Sequence, residues 1–287
     1  MIDRSPSPEN IKPSKLVLTT SGACDLDLGH LLEAFGEQRG RFVAVLRGFG
    51  PADWAAPTRC ADWSAQEVVR HLCDGNAVAA SAGPDDRTLD MAAGFDPRIT
   101  PRTLLAASAD ESPEATLRRF TATTAEALAV LRTRLARNRR YDVQLPYGPM
   151  DWTVLVLHIF WDSWLHERDV LLARGREHPT DDDATYYATA YGLFIAGAVA
   201  SMFGDPVRQK LTLAGDGGGI FDLDGNGAIT LTGTRATAAG PRAAQVTDAL
   251  AGRAQTATIL HDLSPGARTA LSQLADFFNS PVEASPA

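Results

Sequence analysis

Between Asp25 and about Phe49, the apolar residues Leu28, Leu31, Leu32, Phe35, Phe42, Val43 and Leu46 recur at helical intervals. With about 3.6 residues per turn this places them on one stripe and predicts a first amphipathic helix. A second begins at Ser64. The run Ser64-Ala65-Gln66-Glu67 fits a capping box, in which the serine oxygen accepts from an orphan amide and Glu67 reaches back to the amide of Ser64. Val68, Val69, Leu72 and Val78 follow on its apolar side. Ser112, with Pro113 at the first helical position, opens a third helix striped by Leu117, Phe120, Thr124, Leu128, Leu131 and Leu135. A fourth runs from about Asp151 to Arg174 and stops at Gly175. Four helices joined by two short links and one long crossover meet the needs of a four-helix bundle.

Beyond Pro179 the pattern changes. Asp181-Asp182-Asp183 suits the positive end of a fifth helix reaching about Phe203. Short strand signals then appear over 211–213, 220–221 and 228–231, separated by glycine turns, and two more helices, about 243–251 and 265–278, close the chain. All five tryptophans precede this change. The expected organisation is mainly α: a flexible leader over 1–24, where Ser5-Pro6-Ser7-Pro8 and Pro13 stand without an apolar period, a helical bundle over 25–180, and a smaller α+β domain over 181–287. The connection over 83–111 exceeds the roughly 12 to 15 residues usual for a structureless loop, so it is either disordered or functional.

With 45% hydrophobic and 22% charged residues the chain has the composition of an ordinary globular protein. Its formal charge of -8 disfavours phosphate backbones and anionic membranes, so neither nucleic acid nor membrane is expected as a partner. Cys24, Cys60 and Cys73 are too scattered for a disulfide framework, which points to a reducing cytoplasm. Lys12 and Lys15 precede Leu16-Val17-Leu18, but threonines interrupt well before the roughly 7 apolar residues a secretion signal needs. The longest apolar run, over 193–203, falls short of the roughly 20 residues needed to span a bilayer.

The densest polar cluster in an apolar stretch is His158-Ile159-Phe160-Trp161-Asp162-Ser163-Trp164-Leu165-His166-Glu167-Arg168-Asp169. His158, Asp162 and His166, four residues apart, line one helical face with a drift of about 40° per step. Two imidazoles and a carboxylate suit a divalent metal. Such spacing also occurs on solvated faces and beside salt bridges, so by itself it leaves the matter open. Glu167, Arg168 and Asp169 read as surface pairs or orienting groups. His71, among Val68, Val69 and Leu72, points into the bundle, either as a hydrogen-bonded core histidine or as a ligand supplied by a facing helix. Glu67 is a rival ligand already employed by the capping box. Cys73 lies about 200° round its helix from His71, and the cysteines read as small buried hydrophobes. Asp222-Leu223-Asp224-Gly225-Asn226-Gly227 begins like a calcium loop but has Gly233 at the twelfth position, so it reads as a hairpin turn.

Pro57-Thr58-Arg59-Cys60-Ala61-Asp62-Trp63-Ser64, then Val68-Val69-Arg70-His71-Leu72, and later Trp161-Asp162-Ser163-Trp164-Leu165-His166-Glu167-Arg168-Asp169 resemble the mycothiol-dependent maleylpyruvate isomerase family, a branch of the DinB-like superfamily. Gly94-Phe95-Asp96-Pro97-Arg98 and Pro146-Tyr147-Gly148 resemble stretches between those motifs, and Leu250-Ala251-Gly252-Arg253 resembles the family's sterol-carrier-like C-terminal domain. The likeness spans most of the chain. It implies a DinB-like four-helix bundle holding a divalent metal, zinc, through one histidine of the second helix and an acid-x-x-x-histidine pair of the fourth. Those positions are His71, Asp162 and His166. It also implies mycothiol as thiol cofactor and an arginine of the long connection near the substrate, for which Arg98 stands ahead of Arg102. Where this chain has Asp162 the best-known isomerase has glutamate, so the metal site carries over and the particular substrate does not.

The expectation is a cytoplasmic enzyme in which the metal lowers the pKa of mycothiol's SH and the thiolate attacks a small-molecule electrophile, as an isomerase or an S-transferase. A metal hydrolase could use the same ligands on water. A non-enzymatic metal-dependent sensor or binding protein is the other class, favoured by a closed fourth position filled, for example, by His158.

Overall fold

The computed structural model describes residues 15–21, 24–81, 99–138, 140–145, 148–179 and 181–279. Its first half contains α1 (Leu28–Leu46), the single turn α2 (Pro51–Trp54), α3 (Ala65–Ser81), α4 (Thr100–Ala107), α5 (Pro113–Arg137) and α6 (Trp152–Leu172). The starts are those the capping residues announce. The Glu67 amide donates to Ser64 Oγ at 3.2 Å and the Ser64 amide to Glu67 Oε2 at 2.7 Å, closing the expected box. Ser112 caps α5, with Pro113 as its first residue, and Asp151 caps α6.

The four long helices form the bundle. α1 and α3 lie on a diagonal, each packed against both α5 and α6. Phe42 meets Phe120 edge to face at 5.9 Å and Phe35 meets Phe160 at 5.7 Å. Each such ring, withdrawn from water, contributes about 1.5–3 kcal/mol.

The second half opens with α7 (Asp182–Met202), capped by Asp181 as its acidic start leads one to expect. Strands β5 (Arg208–Leu213), β6 (Gly219–Asp224) and β7 (Thr230–Arg235) follow, then α8 (Ala243–Leu250), α9 (Thr256–Ile259) and α10 (Pro265–Asn279). The stretch that begins like a calcium loop ends β6 and turns into β7, with Asp224 Oδ1 accepting from the Asn226 amide at 3.0 Å.

Two features depart from the sequence reading. Part of the leader is ordered: β1 (Lys15–Thr19) pairs antiparallel with β7, from Lys15 opposite Thr234 to Thr19 opposite Thr230, and β2 (Cys24–Asp25) pairs with β1. The sheet order is therefore β2-β1-β7-β6-β5. Leu16 and Leu18 are buried on one face, an alternation too short to register until a partner strand supplies the hydrogen bonds. A hairpin of β3 (Asp142–Leu145) and β4 (Gly148–Asp151) also fills the link before α6. Within the long connection, α4 occupies 100–107, whereas residues 82–98 lie outside the described part.

α7 sets the relation of the two halves. It packs on α1 and α6 on one side and on α8, α10, β6 and β7 on the other. One buried cluster runs through it, from Leu31, Phe35, Phe160 and Trp164 to Tyr187, Tyr191 and Phe194 and on to Phe221, Leu231 and Leu271. α6 is consequently enclosed on nearly every side: of its residues only His158, Asp162 and Leu172 escape full burial. Solvent thus reaches the middle of this helix at His158 and Asp162, one turn apart.

Candidate metal centre

α3 brings His71, and α6 brings Asp162 and His166, to one point between the two helices. Asp162 stands between the imidazoles, with Oδ2 3.2 Å from His71 Nε2 and Oδ1 3.3 Å from His166 Nε2. The two rings are 5.1 Å apart and edge to face. One donor atom from each residue lies within 4.8 Å of the other two, so all three could turn to one ion. The cluster is capped by Trp63, which stacks on His166 at 5.8 Å and leans on His71 at 5.0 Å. The segment before α3 folds back to present it: the Thr58 amide donates to the Trp63 carbonyl at 3.1 Å, and Asp62 takes a left-handed φ of 67°. Aspartate is among the few residues other than glycine that tolerate this turn.

Burial opposes charge here, and the neighbours overcome it. Asp162 is held well below the ordinary carboxylate range because His166 and His71 outweigh its desolvation. His166 is likewise penalised by burial, but Asp162 and Asp169 raise it to about 9. The two shifts reinforce one another: the carboxylate favours protonated imidazoles, and they favour the ionised carboxylate.

Behind the centre lies a second ring of groups that α6 aims inward. Asp169 Oδ2 is 3.2 Å from His166 Nδ1, and on its far side it accepts from Arg253 Nη2 at 3.0 Å. Burial notwithstanding, His166 and Arg253 lower Asp169 to about 2. Arg168 pairs with Asp248 of α8 and lies over the Trp164 ring, and Arg59 Nη2 reaches the same Asp248 at 2.8 Å. Glu167 Oε2 accepts from Gln38 Nε2 at 2.9 Å and lies 3.1 Å from His178 Nε2. Glu167, Arg168 and Asp169 are therefore not surface pairs. All three are buried: Glu167 against Gln38 of α1 and His178, Arg168 against Asp248 of α8, and Asp169 against Arg59 and Arg253. The orienting role suits Asp169, and its signal was its place three residues after a candidate ligand. Nothing local marked Asp248, and Arg253 stood out only through the family likeness.

The remaining candidates fall outside the cluster. His158 Nδ1 is 2.9 Å from the Tyr191 hydroxyl, and burial pushes its pKa down. Cys60 lies beside His166 and Asp169, within 4.8 Å of their ligand atoms, but burial pushes its thiol up to about 12 and Asp169 is committed to two cationic partners. Cys73 is buried with its thiol raised to about 11 and donates to the Val69 carbonyl. Glu67 is engaged in the capping box. Arg102 is largely exposed and pairs with Asp62 at 3.3 Å, while Arg98 lies outside the described residues.

The donor set fits a divalent ion. Two imidazole nitrogens and a carboxylate make the three-ligand set of a catalytic zinc site. Asp169 fixes the His166 ring so that Nε2 faces Asp162, which is the outer-shell contact metal-bound histidines use.

Fold and cluster place the chain among mainly α proteins with a polar centre between bundle helices. Residues 35–171 match the mycothiol maleylpyruvate isomerase N-terminal domain, a segment running from α1 to the end of α6 that contains His71, Asp162 and His166. This segment is therefore similar to that family's N-terminal domain. No curated protein and no solved structure matches the chain. No described helix is long and apolar enough to cross a membrane.

Proposed function

We propose that the protein is a metal- and mycothiol-dependent enzyme that adds the thiol to a small electrophile, by isomerisation or by S-transfer. The convergence of His71, Asp162 and His166 inside the family's domain carries this reading. A divalent ion such as zinc, held by these three side chains, supplies a lowered thiol pKa and so a sulfur nucleophile at neutral pH.

The chain's own groups have separable tasks. Asp162 contributes the negative charge of the ligand set, and being shorter than glutamate it holds its carboxylate close to α6. His166 must shed a proton to bind an ion, and Asp169 keeps its ring in place when it does. Trp63 covers two of the ligand rings and keeps water from that side. His158 has no donor atom grouped with those of His71, Asp162 and His166, which favours an enzyme over the sensor reading in which His158 completes the ligand set. The family likeness supports assigning Arg98 to the negative charge that develops on the electrophile as carbon is attacked. The burial of Cys24 and Cys73, and the raised thiol pKa of all three cysteines, support an outside source for the sulfur.

The test is turnover of a panel of unsaturated and halogenated electrophiles by zinc-loaded protein, with and without mycothiol. Activity should require mycothiol, vanish in Asp162→Ala and persist in Cys60→Ala and Cys73→Ala. Full turnover in thiol-free buffer would assign the same centre to hydrolysis instead.

A further inference from the structure

His71 and His166 stand in the same local pattern. Each is followed three residues later by an aspartate, Asp74 on α3 and Asp169 on α6, so each carboxylate sits one helical turn beyond its histidine. On α6 the pair is closed, with His166 Nδ1 3.2 Å from Asp169 Oδ2 and Arg253 anchoring the carboxylate from behind. On α3 the anchor is also in place: Arg119 of α5 donates from Nη1 to Asp74 Oδ1 at 3.2 Å, and Glu111 holds Arg119 through Nε at 2.9 Å and Nη2 at 3.0 Å.

Only the inner half of the α3 pair is open. His71 Nδ1 is buried without a hydrogen-bond partner, and so is Asp74 Oδ2. Unmatched buried polar atoms are costly, which makes two of them a turn apart on one helix a notable arrangement. The ring's chemistry explains why they do not meet. If the ring's single proton sits on Nε2 toward Asp162, 3.2 Å away, Nδ1 has only a lone pair and cannot bond to a carboxylate oxygen.

We propose that Asp74 is the positioning carboxylate of His71, engaged when a divalent ion takes Nε2. The ring proton then resides on Nδ1 and is donated to Asp74 Oδ2, so that each ligand histidine has its own aspartate–arginine relay, ending at Arg119 of α5 for His71 and at Arg253, after α8, for His166. This rests on the reading of His71 as a metal ligand. Loading the centre would satisfy both orphan atoms and couple ion binding to the packing of α3 against α5.

The experiment is a zinc titration against a chelating dye, with zinc alone as probe, on the full-length protein and its Asp74→Asn and Asp74→Glu variants, alongside metal-free melting curves. Asp74→Asn should weaken zinc binding about 10- to 100-fold. Asp74→Glu, which keeps the carboxylate, should recover most of it. A downfield imidazole N–H proton resonance should appear on zinc loading of the wild type and be missing from Asp74→Asn and His71→Ala. Zinc binding by Asp74→Asn equal to wild type, or equal weakening in both Asp74 variants, would overturn the role of Asp74. Failure of the wild type itself to take zinc would instead overturn the metal reading beneath it.

Discussion

Arg253, in the turn after α8, donates to Asp169 from Nη2 at 3.0 Å and from Nε at 3.3 Å, and Asp169 is itself fully buried. A residue of the C-terminal half thus sets the charge environment of His166 without touching it. Removing the arginine leaves a buried carboxylate with one partner fewer, and breaking a buried pair in this way costs about 3–5 kcal/mol. Arg253→Ala should lower stability to chemical denaturation by an amount near the low end of that range, since Arg59 lies 3.6 Å from Asp169 and retains part of the compensation. Zinc affinity should fall about tenfold, through the looser His166 ring. Unchanged affinity in a folded variant would show that Asp169 positions His166 unaided.

Metal and stability should be linked at the centre itself. The ligands come from α3 and α6, so an ion bound there would tie two bundle helices together and stabilise the folded state by mass action. We expect about one divalent ion per chain, a melting temperature that falls on chelation, and loss of both effects in His71→Ala and His166→Ala. His158→Ala should retain the ion, because its donor atoms are not grouped with those of His71, Asp162 and His166. Metal analysis with paired melting curves decides the matter, and a melting curve indifferent to zinc would count against the assigned ligands.

The pH dependence of the metal-free protein follows from the same charges. His166 is raised from 6.5 to about 9, so the stability its protonated form contributes is complete below 6.5 and is lost as pH climbs toward 9. Asp169 is lowered from 3.8 to about 2, so its contribution is present above 3.8 and disappears as pH falls toward 2. Denaturation midpoints should therefore peak between these limbs. Zinc competes with the His166 proton, so its affinity should rise about tenfold per pH unit up to 9. Calorimetry in buffers of different ionisation enthalpy would report the released proton, and a pH-independent affinity between 7 and 9 would contradict the paired state of His166.

α7 makes a fourth expectation concrete. Its removal would bare Phe160, Trp161, Trp164 and Leu165, all at most 3% exposed in the intact chain. A fragment ending at Gly175 should then aggregate or melt without cooperativity, while one ending after α10 should behave as the whole. Calorimetry and size-exclusion chromatography separate the outcomes. A stable, zinc-binding fragment ending at Gly175 would show that the bundle is self-sufficient.

Much of this protein was written locally. Helix starts were legible because Ser64, Ser112 and Asp181 act within one turn of themselves, and the strands over 211–213, 220–221 and 228–231 because glycine turns bracket them. The Asp162–His166 pair was equally legible, since four-residue spacing on a helix is a contact wherever that helix packs. What the chain could not state alone was which side of α6 meets water. Its apolar residues run all the way round, and only distant partners, Gln38 and His178 for Glu167, Asp248 for Arg168 and Arg253 for Asp169, decided that these three face protein while Asp162 keeps an opening. The strand at Lys15–Thr19 had the same character, because five residues hold an extended form only when a partner, here β7 over two hundred residues away, accepts their hydrogen bonds. The capture of Asp169 by Arg253 belongs to this second class as well: local spacing chose the histidine's nearest carboxylate, but a long-range contact determined its charge and its hold on the ring.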